Sequence, residues 1–273
     1  MRKLNASGML EIADQALEYR LIGGEPSHKP AIVMLHEGLG CVGLWGDFPD
    51  RLAEATGACV FVYSRAGYGA SSPAKLPRPL TYMHHEAGKV LPALLEAIGF
   101  RRGLLLGHSD GASIASLYAG SVADHRVRGL VLIAPHFVVE EMGLEAIRRA
   151  KIAYEQGDLR KKLSRWHRDV DNAFYGWNQA WLSEGFKNWD ISEALDYVRV
   201  PVEIVQGEKD QYGTIRQIEI AKEECYCPLE VALIPGIGHS PQREAPEITL
   251  RAVADFTNRI LRDHQEGVLP QAT

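Results

Sequence analysis

The chain has 273 residues, 46% of them hydrophobic and 24% charged, with a formal net charge of −5. That length suits one large α/β domain with a substantial core; the scattered basic residues offer no stripe for nucleic acid or an anionic membrane, and no window approaches about eighteen uncharged apolar residues. The four cysteines (Cys41, Cys59, Cys225 and Cys227) lack metal-ligand spacing and read as reduced packing residues, and no apolar run follows Arg2 and Lys3, so the expected compartment is the cytoplasm.

In chain order, residues 9–22 predict two short antiparallel strands. Ala31 to Leu35 is a continuous apolar run, hence a central strand, and it ends at a glycine-rich turn, His36 to Gly40. Phe48 to Ala55 reads as a helix and Cys59 to Tyr63 as a second buried strand. Tyr82 to Ile98 is helical by period, with Gly99 as its stop. Arg102 to Leu106, then Val127 to Ala134, supply two more strands, the second stopped by Pro135. Residues 137–197 change character. They contain no strand-like run, are charged and aromatic, and hold four of the five tryptophans. The strand pattern resumes at Val202 to Gln206, followed by a helix over Thr214–Cys225, a last strand over Leu229–Ile234 and a closing helix over Pro246–His264. Gln265 to Thr273 are expected to fray. Strand–helix alternation predicts a mostly parallel twisted sheet flanked by helices on both faces. The core is expected over 1–136 and 198–273, with 137–197 inserted as a helical cap.

The chain is organised around Gly107-His108-Ser109-Asp110-Gly111. A serine between two glycines, at a strand-to-helix joint, sits where the backbones nearly touch and only very small residues fit. The tight turn forces the serine into an unfavourable conformation and projects its side chain into a cleft, with the dipole end of the next helix pointed at it. A nucleophilic serine needs a base, and the base an orienting acid. Asp210 follows strand 202–206 and His239 follows strand 229–234. Strand C-termini of a parallel sheet open on one edge, so Ser109, Asp210 and His239 are expected in one crevice.

These residues, in this order, resemble the α/β-hydrolase fold enzymes. The resemblance is carried by His36-Glu37-Gly38-Leu39-Gly40, Arg65 to Ser71, Gly107 to Gly111, Gly207-Glu208-Lys209-Asp210, and Gly238-His239 followed by Glu244 and Pro246. It covers nearly the whole chain and implies a serine hydrolase: Ser109 as nucleophile, His239 as general base and acid, Asp210 as orienting carboxylate. It implies an oxyanion hole from the backbone N–H of Asp110 and of Gly38, no metal and no cofactor. The family usually carries glycine where this chain has Glu37, which places a carboxylate beside that hole. The implied reaction is cleavage of a carboxylic ester or lactone of a small, partly apolar molecule. Carbon–carbon hydrolases, thioesterases, amidases and perhydrolases share the pattern, and so does a ligand receptor built on the same scaffold. The expected partner is a small-molecule substrate, with no nucleic acid and no membrane; a homodimer is compatible with the chain.

Each site residue has a plainer role to set beside this one. His239 could be a buried histidine satisfied by a backbone carbonyl, and Asp210 could cap the helix near Thr214. His36 reads as a hydrogen-bonder within its turn. The side chains of His108 and Asp110 are expected to point away from the cleft, and His84 and His85 to lie on the surface. Glu140 and Glu141 read as solvated helix. Candidate substrate contacts are Glu37, His136, Trp177 and Trp181.

Overall fold

The computed structural model describes residues 4–263. The expected fraying over 265–273, the end of the closing helix at His264, and Arg2 and Lys3 lie outside the described residues. Eight strands form one sheet among the described residues: β1 (Ser7–Ile12), β2 (Gln15–Ile22), β3 (Ala31–Leu35), β4 (Cys59–Tyr63), β5 (Gly103–His108), β6 (Val127–Ile133), β7 (Val202–Gly207) and β8 (Leu229–Ile234). Their order is β1-β2-β4-β3-β5-β6-β7-β8. The β1–β2 and β2–β4 pairs are antiparallel, and every pair from β4 through β3 to β8 is parallel.

The unbroken apolar runs reflect burial on both faces. Ile32, Met34, Val60, Val62, Leu104, Leu106, Val131 and Ile133 point to one side. There they meet α1 (Phe48–Thr56) through Phe48 and Leu52, and the long closing helix through Val253, Phe256 and Ile260. The alternate residues, among them Val33, Leu35, Phe61, Leu105, Leu130, Leu132 and Ile204, fill the other side. The helix expected over Tyr82–Ile98 forms as α2 (Tyr82–His85), a π turn over Glu86–Val90 and α3 (Leu91–Ala97). Pro92 sits at the start of α3; a proline lacks the N–H of a regular turn and clashes with the carbonyl four residues back, which a widened turn relieves.

Behind β5, α4 (Asp110–Ser121) packs directly on the sheet. A Cβ at Gly107 would lie 2.3 Å from the Gly111 carbonyl oxygen, and one at Gly111 would lie 2.1 Å from that of Leu35. Those approaches leave no room for any side chain. Between them Ser109 is held at φ 53°, ψ −116°, a strained region for a residue with a Cβ.

Between β6 and β7 the chain runs through α5 (Glu141–Gln156), α6 (Leu159–Leu163) and α7 (Val170–Trp181), with two short 3₁₀ turns and a single bridge, Val138 to Asp190. Aromatic packing holds this segment together: Tyr154 stacks on Phe174 at 3.7 Å, and Trp181, Phe186 and Trp189 form a second group. His167 pins the segment to the core, since its Nδ1 accepts from the Gly69 N–H and its Nε2–H donates to the Leu39 carbonyl, both at 3.0 Å. After β7 come α8 (Ile215–Glu224), then a short α9 (Pro241–Glu244) that the sequence pattern did not predict, and α10 (Pro246–Asp263). No helix among the described residues is long and apolar enough to cross a membrane.

Two substitutions at the β5–α4 joint should move stability in opposite directions. Gly111→Ala should cost more than about 4 kcal/mol, because backbone must separate to admit the methyl group. Ser109→Gly should raise stability by about 1 kcal/mol by relieving the strain. Thermal and urea melts check both; a Gly111→Ala protein melting within a few degrees of the wild type would contradict the packing argument.

Candidate active site

The parallel register brings the C-terminal ends of β3, β5, β6, β7 and β8 to one edge, with Leu35 beside Gly107, His108 beside Ile133, Ile133 beside Val205, and Gly207 beside Ile234. The loops leaving these ends surround a cavity of about 260 Å³. Ser109, Asp110, Gly38, His136 and His239 line it from the sheet side, and Trp177, Trp181 and Ile147 from the helical segment above.

Asp210 and His239 meet at the edge. His239 Nδ1 lies 2.9 and 2.8 Å from the two carboxylate oxygens of Asp210. Asp210 also accepts from the Gln206 amide at 2.8 Å and the Tyr212 N–H at 2.8 Å. Burial, the largest single influence, would raise the Asp210 carboxyl, but the hydrogen bond and charge of His239 together with the Tyr212 N–H hold the group below the usual carboxylate range. The helix near Thr214 is capped by Thr214 itself, whose side chain accepts from the Arg216 N–H, so Asp210 is left for the imidazole. His239 Nδ1 is therefore engaged by a carboxylate and not by a backbone carbonyl, and the residue lines the cavity. Ser109 is nearly buried and lines the same cavity; its hydroxyl forms no hydrogen bond with His239 in this state.

The N–H of Asp110 opens α4, and neither it nor the N–H of Gly38 bonds to another described residue. Gly38 is needed by contact: a Cβ there would meet the Trp177 ring at 2.2 Å. The Asp110 carboxylate turns away from the serine, accepting from Tyr82 at 2.7 Å and from the Trp181 indole at 3.2 Å. Arg65 is buried beside it, with a guanidinium nitrogen 3.7 Å from Asp110, and it donates to the carbonyls of His36 and Glu37. One cation thus ties the 36–40 turn to the start of α4.

Glu37 curls back over Gly40, where any Cβ would collide with its carboxylate, and reaches His108 Nδ1 at 3.3 Å. Burial would lift this carboxyl; the hydrogen bond and the nearby imidazoles overcome that and bring it down to about 2. His108 in turn donates from Nε2 to the His239 carbonyl at 2.8 Å; its Nδ1 lies between the Glu37 carboxylate and the Gln242 amide nitrogen at 3.0 Å, donating to the first when protonated and accepting from the second when not. His36 is spent within its turn: Nδ1–H donates to the Glu37 carbonyl and Nε2 accepts from the Arg65 N–H. Both nitrogens are satisfied only in the neutral ring, and burial lowers its proton affinity further. His84 and His85 are exposed.

Glu140 departs from the sequence reading. It is not solvated: it accepts from the Thr214 N–H at 2.8 Å, the Thr214 hydroxyl at 2.6 Å and the Gln217 amide at 2.8 Å, and it lines the cavity. Its partners lie 74 and 77 residues away, beyond any local pattern. Tyr212, whose ring centroid lies 4.7 Å from that of His239, was also missed, though its place two residues after Asp210 was a signal. Arg65 was visible only as part of a motif, with no role attached.

Comparison with known proteins follows from this geometry. A model of the alpha/beta hydrolase family matches residues 32–252. The proline iminopeptidase of Lactobacillus helveticus is 34% identical over 116 residues, a stretch that spans 42% of this chain and 38% of that protein's length. Among solved structures, a proline iminopeptidase from Mycobacterium smegmatis superposes with a TM-score of 0.73 at 17% identity, covering 94% of this chain and 99% of that one. The enol-lactonase of Burkholderia xenovorans LB400 superposes at 0.72 and 16% identity, covering 91% and 99%. At such identities these two likenesses concern the fold.

His36 and His136 are both kept neutral by burial, His136 down to about 3. The unfolded chain takes up protons on both below about pH 6.5, and the folded protein refuses them. Stability is therefore full above that pH and falls as pH drops towards 4, by about 1.4 kcal/mol per pH unit for each ring. Urea midpoints from pH 7.5 to 4.5 should show this decline, and His136→Phe should remove about one proton from its slope. A flat profile over that range would contradict the burial argument.

Proposed function

The chain belongs to the alpha/beta hydrolase family, and from that premise we propose that it is a serine hydrolase acting on a carboxylic ester or lactone of a small, partly apolar molecule. The observation that carries the proposal is the convergence, on one cavity, of a strained serine, an imidazole already oriented by a carboxylate, and two backbone N–H groups without partners.

In this reading Ser109 Oγ attacks the substrate carbonyl as His239 Nε2 takes its proton. Asp210 holds the Nδ1–H tautomer and balances the imidazolium that forms. The tetrahedral oxyanion accepts from the N–H groups of Asp110 and Gly38, at the positive end of α4. His239 then gives the proton to the leaving oxygen. Water, deprotonated by His239, attacks the acyl-enzyme, and Ser109 recovers its proton as the acid departs. The serine–imidazole contact is required to close when substrate seats, since such bonds are commonly long in the free enzyme. Residues 137–197 act as a lid whose Trp177 and Trp181 form the apolar wall of the pocket.

The apolar roof of Ile147, Trp177 and Trp181 supports an ester or lactone of a partly apolar molecule. The carboxylates lining the cavity are held in place, Glu37 beside His108, Asp110 by Tyr82 and Trp181, Glu140 by Thr214 and Gln217, though neutral donors leave their negative charge standing. Peptide cleavage, the activity in the name of the Lactobacillus relative, is the second reading, supported by that sequence similarity.

A fluorophosphonate probe should label wild-type protein at Ser109, and Ser109→Ala should abolish labelling and lower ester turnover by at least about 10³-fold. Asp210→Asn should lose about 10³–10⁴-fold in kcat with little change in KM. Ester turnover by Ser109→Ala equal to wild type would defeat the proposal; faster cleavage of prolyl amides than of matched esters would move it to the second reading.

A further inference from the structure

Two imidazoles line the cavity, and they are used differently. His239 is paired with Asp210, whereas neither ring nitrogen of His136 has a hydrogen-bond partner among the described residues. His136 is nonetheless 95% buried, its residual exposure being 5%. Its ring nitrogens are not sealed inside the protein; they open on the cavity, where a group from outside the chain can bond them.

The ring is held for that contact. Ser113 Oγ donates to the His136 carbonyl at 2.6 Å, and the Phe137 N–H donates to Gln217 at 2.7 Å. Two residues before it, Ala134 sits at φ 46°, a strained backbone angle that turns the chain out of β6 and towards the cavity. Gly213 gives the ring its space, because a Cβ there would meet His136 Cε1 at 3.2 Å and Nδ1 at 3.3 Å. The ring lies edge-on to Trp181 at 5.3 Å and 5.4 Å from the His239 ring. Whatever it binds is therefore close to the reacting carbonyl.

The charge of that group is constrained as well. Burial and the neighbouring His239 keep His136 neutral, so it offers one N–H and one lone pair but no charge. Glu37, Asp110 and Glu140 line the same cavity against a single lining arginine, Arg243. An anionic substituent would meet three carboxylates, and a cationic one could use only the lone pair of His136, whereas an uncharged oxygen can accept its N–H. We propose that His136 is a specificity-determining residue that hydrogen-bonds an uncharged oxygen, a hydroxyl or a keto group, on the substrate carbon next to the reacting carbonyl. The proposal rests on the acyl-transfer reading of Ser109.

The test uses ethyl esters of propanoic, 2-hydroxypropanoic and 2-oxopropanoic acids, with monoethyl malonate as the anionic comparison. The quantity read is the kcat/KM of each oxygenated ester divided by that of the propanoate, compared between wild type and His136→Phe, so that intrinsic reactivity cancels. The preference for the hydroxy ester, the keto ester or both should fall by about tenfold or more in His136→Phe, and His136→Gln should restore part of it. Which ester responds separates a hydroxyl from a keto ligand. An unchanged preference in His136→Phe, or malonate as the favoured ester, overturns the proposal. Failure of the acyl-transfer reading looks different: no ester is turned over and Ser109 is not labelled. In that event the same ratio is read as binding to Ser109→Ala, through the fluorescence of Trp177 and Trp181. Equal affinity for the oxygenated and plain esters then overturns the His136 assignment on its own.

Discussion

The structure depends on how closely β5 and α4 approach each other. Gly107 and Gly111 let the strand, the helix and the end of β3 come within backbone contact, and the residue between them has no relaxed conformation available. A strained Ser109 is the consequence of that closeness. The same geometry presents the first N–H of α4 without a partner next to the hydroxyl. Position, strain and local field at the serine thus have one steric cause.

A second constraint couples this joint to the rest of the cavity. Arg65, fully buried, touches the carbonyls of the 36–40 turn and the carboxylate of Asp110. Asp110 continues the chain of contacts to Tyr82 and to Trp181 of the helical segment. A buried guanidinium is tolerable only with such a set of acceptors. The two N–H groups proposed to hold the oxyanion belong to segments 36–40 and 110–111, and their relative placement is set by that one cation. The roof of the pocket is attached to the same carboxylate, so a change at residue 181 would be felt at the helix that carries the serine.

His108 and His136 flank His239, and His36 lies in the neighbouring turn, each with a distinct task. His36 closes its own turn as a neutral ring, and His108 joins the Glu37 carboxylate to the backbone of His239. His136 keeps both nitrogens free at the cavity wall. Glu37 stands where the family resemblance implies glycine, yet its carboxylate is turned onto His108 and Gly40 instead of lying across the turn. Under the proposed function this arrangement supports the loop of the general base from behind.

The sequence by itself determined the sheet, the joint and the order of the site residues. Apolar runs such as Ala31 to Leu35 report burial on both faces, and a Gly-x-Ser-x-Gly between strand and helix reports close approach; both are local signals with a local physical cause. The position of Asp210 and His239 at strand ends was legible for the same reason, since parallel strands share an edge. Only the tertiary structure decided what those side chains touch. That Glu140 is clamped by Thr214 and Gln217, that Arg65 bridges two turns, and that the His136 ring nitrogens lack a hydrogen-bond partner among the described residues depend on residues far apart in the chain. Hydrogen bonds of that kind are fixed by where whole elements come to rest, and no periodicity in the chain encodes them.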